Sequence, residues 1–401
     1  METEELRVVF YSHDSQGLGH TRRNVALAHA LVNHLPGLTG RAVTGLLLTG
    51  VDNATAHDKP EGFDWVVLPG VAKDTGTYEP RNLSVGMDHL TNLRSGLIEA
   101  ALLGFHPHLV VVDRHAWGVQ RELQAPLLRL RAEFPQTQII LGLREVLDSP
   151  EAAAREWENL GELETFRAVY NHIWVYGDRD VHDPVSSGEI PAELGDMIQH
   201  TGYLAAGRPV GERTSGMSRP YIVSMAGGGS DGVDLLTAAA RARVPHGYRH
   251  LVITGPQMDP AQVQRIQTVA SERTIVVNAV PDALAEVLAA DAVISMGGYN
   301  STTEILTTNT PALIVPREHP RQEQLIRATA LRQVGAVDLL RARDLTAQAI
   351  SAWMRRAVGT VRLRHHLNLS GLQTAAHLAA QALTAAHPLP SGICGQGALS
   401  R

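Results

Sequence analysis

The chain has one cysteine in 401 residues, Cys394, which excludes an intrachain disulfide and a zinc site built on thiolates. No apolar run approaches the roughly 20 residues that a membrane-spanning helix needs, so integral membrane contact is not expected, while peripheral contact stays open. Nor is there a secretory leader: Met1 to Leu6 is acidic and runs straight into a strand-like stretch. Together these absences predict a reduced, cytoplasmic protein. The net charge of −6 gives nucleic acid no general purchase. Aromatic residues are only 4% of the chain and basic clusters are few, which disfavours a polymeric polyanion as ligand.

What the chain does have is short apolar runs, 44% apolar residues in all, enough for real cores at a length that predicts about two domains. Strands are predicted at 6–11, 42–49, 65–68, 109–112, 138–143 and 173–176. Helical periodicity runs from His20 through Leu27, Leu31 and Leu35, and again over 90–103 and 120–133. Strands alternating with helices predict a parallel sheet covered on both faces. Residues 207–220, rich in glycine and proline, read as a linker. After it the pattern restarts, with strands at 221–225, 250–254, 274–277, 291–296 and 312–315 and helices at 233–242 and 346–358. The predicted fold class is α/β, two Rossmann-like domains facing a central cleft. Its parts are an N-terminal domain over 1–206, a linker over 207–220, a C-terminal domain over 221–365, a helix over 366–386 free to pack back on the first domain, and a flexible tail over 387–401. A cleft between domains is where small ligands usually bind.

Each half opens on a glycine loop. In the first, Gly17-Leu18-Gly19-His20 lacks the Lys-Ser/Thr of a phosphate-binding Walker loop, and Arg22 stands where a dinucleotide motif has its third glycine. What remains is a close-approach loop that presents His20 at the mouth of the sheet. A neutral imidazole there can take a proton from an attacking hydroxyl; the plain alternative is one loop histidine among 19. Arg22 and Arg23 read as a solvated helix face in preference to phosphate ligands. Asp113, at a strand end, either orients His20, touches a substrate, or is structural. In the second half, Gly228 and Gly229 let the backbone approach a diphosphate and Ser230 can donate to it, against the alternative of an ordinary strand–helix turn.

The densest signal runs from Asp291 to Leu331. An apolar run ends at Gly297-Gly298, and a helix opens behind it with Tyr299, Asn300 and Ser301. A helix N-terminus beyond the carboxyl end of a parallel strand offers free N–H groups and partial positive charge to a phosphate. Ser301-Thr302-Thr303-Glu304 fits a capping box, with Glu304 reaching back to the cap. Glu304 is equally placed to bind both hydroxyls of a ribose, and the spacing leaves the two roles side by side. Arg317 to Gln324 is either a solvated loop or a source of carboxylate and amide groups for sugar hydroxyls. The combination reads as a nucleotide-sugar pocket.

Tyr11-Ser12-His13-Asp14 with the first glycine loop, and Gly297-Gly298-Tyr299-Asn300-Ser301 with Pro316-Arg317, resemble the two-domain GT-B glycosyltransferases. The likeness is to the group around the peptidoglycan N-acetylglucosaminyltransferase and to a bacterial set of predicted glycosyltransferases. It covers about 6–340 and is strongest over 280–335. The resemblance implies a hexosyl- or N-acetylhexosaminyltransferase of envelope or secondary metabolism. The second domain would bind a nucleoside diphosphate sugar such as a UDP-sugar, and the first an acceptor, small or lipid-linked. Gly228, Gly229, Ser230, Gly298, Tyr299, Asn300 and Ser301, with Gly19 opposite, would hold the diphosphate. Asn278 and Val280 would flank the base, and Glu304 would hold the ribose. Arg317, Glu323 and Gln324 would meet the donor sugar. His20, with Asp113, would be the base of an inverting displacement. No cofactor and no metal are expected, since helix dipoles and backbone donors stabilise the leaving diphosphate. Glu323 and Arg327 stand where that family has amide residues, and Ser301 replaces its threonine. An epimerase or hydrolase of the same fold, or a non-catalytic nucleotide-sugar binder, are the other readings.

Overall fold

The computed structural model describes residues 5–13, 19–56, 58–74, 77–208 and 210–386. The start of the first glycine loop (14–18) and the predicted tail with Cys394 lie outside the described residues.

The chain enters on β1 (Leu6–Ser12), turns into α1 (Gly19–Thr39) and continues through β2 (Val43–Thr49), β3 (Phe63–Val67) and a small hairpin, β4 (Val71–Asp74) and β5 (Thr77–Pro80). Next come α2 (Met87–Phe105), β6 (Leu109–Asp113), α3 (Gln124–Glu133), β7 (Gln138–Arg144), α4 (Pro150–Leu160), α5 (Leu163–Val169), β8 (His172–Tyr176) and β9 (Ile198–His200). Seven strands pair in parallel in the order β3-β2-β1-β6-β7-β8-β9. Every residue of Leu109–Asp113 is buried, as befits a strand covered on both faces. The order reverses between β1 and β6, and their carboxyl ends open a crevice there.

The second sheet repeats the plan. Its elements are β10 (Tyr221–Met225), α6 (Val233–Ala240), β11 (Arg249–Ile253), α7 (Pro260–Val269), β12 (Thr274–Val277), α8 (Ala283–Ala289) and β13 (Ala292–Ser295). They are followed by α9 (Tyr299–Leu306), β14 (Ala312–Ile314), α10 (Glu323–Gln333), β15 (Asp338–Leu339) and α11 (Ala347–Ala357). Its parallel order, β12-β11-β10-β13-β14-β15, reverses between β10 and β13. The two halves are thus Rossmann-like domains. The last helix, α12 (Gly371–Ala386), lies against α1, and its Leu372, Ala375, Ala379 and Leu383 share one apolar core with Leu27, Leu31 and Leu35. Among the described residues no helix is long and apolar enough to cross a membrane.

Two local expectations need correction. The helix predicted over 120–133 begins only at Gln124, because Gln120 and Arg121 take positive φ values of 49° and 65°. Helix α4, with the Ser149 hydroxyl accepting from the Ala152 N–H and Pro150 in the first turn, escaped the periodicity.

Candidate active site

The site is built where the two switch points face each other. Ser12 of β1 is paired in register with Asp113 of β6. Asn24 ties α1 to the end of β1, its amide donating to the Tyr11 carbonyl (3.0 Å) and the Ser12 hydroxyl (2.9 Å). That fixes the first turn of α1 over the crevice. There the His20 Nδ1 lies 3.0 Å from Asp113 Oδ1, while Arg23 donates through Nε to Oδ2 (2.8 Å) and through its terminal nitrogen to Oδ1 (2.9 Å). Burial pushes the Asp113 carboxyl up, but Arg23 and then His20 outweigh it and hold it well below the usual carboxylate range. Arg23 is only 3% exposed, so its reading as a solvated face is wrong: the ion pair with Asp113 draws it inside. Arg22 reaches across the cleft to Glu304 instead.

The second domain supplies the glycine cradle. Gly227 and Gly229 have φ of +63° and +98°, and a Cβ on Gly229 would meet the Thr254 carbonyl at 2.4 Å. Gly255 (φ +93°) backs onto the same loop, where a Cβ would fall 2.5 Å from the Gly227 carbonyl. Gly228 belongs to this turn, and its carbonyl accepts from the Gln257 N–H at 2.9 Å. Ser230 follows on the exposed rim. Ser301 stands beside the loop, its Oγ 3.8 Å from where a Gly227 Cβ would lie. The backbone around Gly298, the residue preceding α9, is open: a Cβ there would touch nothing within 4 Å.

Three expectations change on this side. The predicted capping box does not form, because α9 opens one turn earlier, behind Gly298, with no side-chain cap. Glu304 is therefore not a cap; its Oε1 accepts from Arg22 at 2.6 Å and its buried Oε2 has no hydrogen-bond partner among the described residues. The Tyr299 side chain does not face the glycine cradle. It is a wedge between domains, its hydroxyl donating to the Tyr176 carbonyl (2.9 Å) and accepting from the Leu204 N–H (3.2 Å). Arg23 of the first domain and Arg327 of the second each lie 5.6 Å from its ring centre. Asn300 also bridges the cleft, its amide donating to the Gly19 carbonyl at 3.2 Å.

At the far end, Arg317 donates to Asp231 and Glu323, both at 2.6 Å, and its N–H donates to the Gln324 side chain at 3.0 Å. Burial raises the Glu323 carboxyl, but Arg144, Arg317 and Arg327 together keep it ionised. Asn278 and Val280 follow β12, apart from this group, with the Thr254 hydroxyl 3.2 Å from the Asn278 side-chain oxygen. Sequence reasoning missed the buried pair that locks the domains: Arg327 donates to Glu145 at 2.5 and 3.2 Å. Glu145 sits just past β7 with no motif around it, so only the fold announces it.

Residues 223–359 match the family model of the glycosyltransferase family 28 C-terminal domain. Over 109 residues the chain is 30% identical to an uncharacterized glycosyltransferase of Methanosarcina mazei, an alignment spanning 27% of this chain and 28% of that relative. Among solved structures it is similar to MurG of Acinetobacter baumannii, with a TM-score of 0.52 and 14% identity over 94% of this chain and 95% of that one. It is also similar to Phytolacca americana UGT2, solved with UDP-2fluoro-glucose and pterostilbene, with a TM-score of 0.59 and 13% identity over 96% and 94%. The fold is that of the GT-B glycosyltransferases.

Proposed function

Taking residues 223–359 as a glycosyltransferase family 28 C-terminal domain within a GT-B fold, we propose that the chain moves a sugar from a nucleoside diphosphate to an acceptor hydroxyl with inversion. The observation that carries this reading is the opposition of two half-sites: the His20–Asp113 pair at the start of α1 and the open N-terminus of α9, bridged by Asn300 and Gly19. The His20 Nδ1 lies 3.0 Å from the Asp113 carboxylate and 2.9 Å from the Arg23 terminal nitrogen; an ionised carboxylate only accepts, so in the tautomer protonated at Nδ1 His20 donates to Asp113 and keeps Nε2 as the base. Nε2 takes the acceptor proton as the oxygen bonds to the anomeric carbon. The bond to the diphosphate breaks on the opposite face, and the diphosphate leaves with the electron pair. The N–H groups of the first turn of α9 and of Gly228 and Ser230 receive its charge, preorganised donors that make a metal unnecessary; the Gly229 N–H is held by the Ala226 carbonyl at 3.2 Å. Glu304, with one oxygen unpaired, holds the ribose; Gln324 and Glu323 meet the sugar, and Asn278 and Val280 flank the base.

A melting-temperature screen against UDP, dTDP, GDP and ADP tests the binding half. Ligand at about 100 times its Kd adds about 2.7 kcal/mol of stability, readily seen as a shift. Incubation of the bound nucleotide's labelled sugars with and without an acceptor panel tests the chemistry. A glycosylated product of opposite anomeric configuration is expected. No shift with any nucleotide, or an epimerised or hydrolysed sugar without acceptor, would overturn the assignment.

A further inference from the structure

Among the described residues, one cation of the cleft, Arg144, has neither a hydrogen bond nor an ion pair. Arg144 ends β7 and Arg114 follows β6, so both emerge from adjacent strands at the sheet edge that carries Asp113. Nearby cations have partners: Arg23 on Asp113, Arg114 on Glu156 (2.6 Å), Arg327 on Glu145 and Arg317 on Glu323. Arg321 comes in from the second domain, 4.0 Å from Asp148, whose other oxygen accepts from the Gln322 N–H. Arg144 alone of this group has no hydrogen bond or ion pair among the described residues, and its Nε is sealed from solvent. Arg114 is 5% exposed, and its NH1 is likewise buried without a partner. The carboxylate nearest in effect, Glu323, bonds Arg317 through Oε1; its buried Oε2 has no hydrogen-bond partner among the described residues, and it reaches Arg144 only through charge.

Arg144 is half-buried, and a guanidinium whose Nε is sealed from solvent without an acceptor is costly unless an anion completes it. Burial, and then repulsion from Arg114, Arg23 and Arg327, bring Arg144 down to about 9, so the strain on this cation is already visible in its proton affinity. Guanidinium groups suit planar or tetrahedral oxyanions that accept two parallel bonds.

We propose that Arg144 and Arg114 form a subsite for an anionic group, carboxylate or phosphate, borne by one of the two substrates beside the reacting hydroxyl. The inference rests on the sugar-transfer reading and narrows its substrates. The anion has two sources: a donor hexuronate, or an acceptor carrying phosphate or carboxylate.

The test uses the full chain, its Arg144→Gln and Arg144→Lys variants, and whichever nucleoside diphosphate binds in the melting screen. Calorimetry compares that nucleotide's glucose and glucuronate esters, and separately titrates inorganic phosphate onto the nucleotide complex. For a donor-borne anion, Arg144→Gln weakens the glucuronate about 10- to 100-fold while sparing the glucose ester, and Arg144→Lys falls between. For an acceptor-borne anion, both donors bind as in wild type and phosphate binding is lost in Arg144→Gln. If the wild type neither prefers the glucuronate nor takes up phosphate, the subsite is refuted while nucleotide binding still upholds the functional reading. If no nucleotide binds, both fall. Removing an unmatched cation should leave the ligand-free melting temperature unchanged or raise it. A drop of many degrees would assign Arg144 to the fold and overturn the subsite.

Discussion

Replacing Asp113 by Asn tests two roles at once, because the carboxylate serves both His20 and Arg23. Asparagine keeps the shape but removes the charge, leaving Arg23, 3% exposed, without its anion. Breaking a buried ion pair by removing one partner costs about 3–5 kcal/mol. For a domain of this size that is a fall in melting temperature of roughly 6–20 °C. The same change turns one of the two acceptor oxygens into an NH2 donor where Arg23 and His20 supply three N–H groups, so the imidazole loses its ionised partner, and losing an aligned base costs about 10²- to 10⁴-fold in turnover. His20→Ala separates the effects. It leaves the two Arg23–Asp113 bonds in place and removes a side chain 23% exposed, so turnover drops at least about 10²-fold with little loss of stability. Melting curves and steady-state turnover on the same preparations read both quantities. An Asp113→Asn protein that melts and turns over like wild type would refute the ion-pair reasoning, and a fully active His20→Ala would refute the base. Acid extends the test. The folded Asp113 sits below its unfolded value near 3.9, so its contribution is complete above about pH 4 and disappears as pH falls through the folded value.

Glu304→Ala should weaken nucleoside diphosphate binding about tenfold or more by calorimetry, through lost ribose contacts; wild-type affinity would exclude that role. Since Glu304 does not cap α9, any stability loss should come from removing the anion beside Arg22 and the half-buried Arg208, and melting curves will show how large it is. Gly255→Ala forces a Cβ to 2.5 Å from the Gly227 carbonyl at φ +93°, so the second domain should melt lower and bind nucleotide poorly; an unchanged melt would show the loop can give way. Burial holds His250 neutral down to about 3, whereas the unfolded residue titrates near 6.5. Stability is therefore intact above pH 6.5 and declines on acidification towards 3, by up to about 1.4 kcal/mol per pH unit from this group. His250→Gln should flatten that part of the curve, and superimposable acid curves would rule the group out.

Much of the plan was readable because buried parallel strands are unbroken apolar runs and their following loops are punctuated by glycine. Tyr221–Met225, its glycine loop and α6 are legible from that grammar alone. What was not legible depends on contacts across hundreds of residues. The capping box was a sound local pattern at Ser301–Glu304, yet α9 begins three residues earlier because Tyr299 is drawn into the other domain. Arg22 and Arg23 are adjacent and alike in sequence, but the step of roughly 100° between consecutive helix residues sends the first to Glu304 and the second to Asp113. Nothing local separates them. The Glu145–Arg327 lock, 182 positions apart, has the same character.

The seating of α12 on α1 makes the first lobe discontinuous in sequence, with the whole second lobe inserted between its parts. During synthesis the apolar side of α1 must wait for the second lobe to be made before its cover arrives. A fragment stopping near residue 206 would carry that side bare and should aggregate. A circular permutant that places 371–386 ahead of β1 would restore the missing cover to a one-piece lobe. The two lobes are also joined by a pair of chain crossings instead of one, so neither can swing away from the other on a single tether.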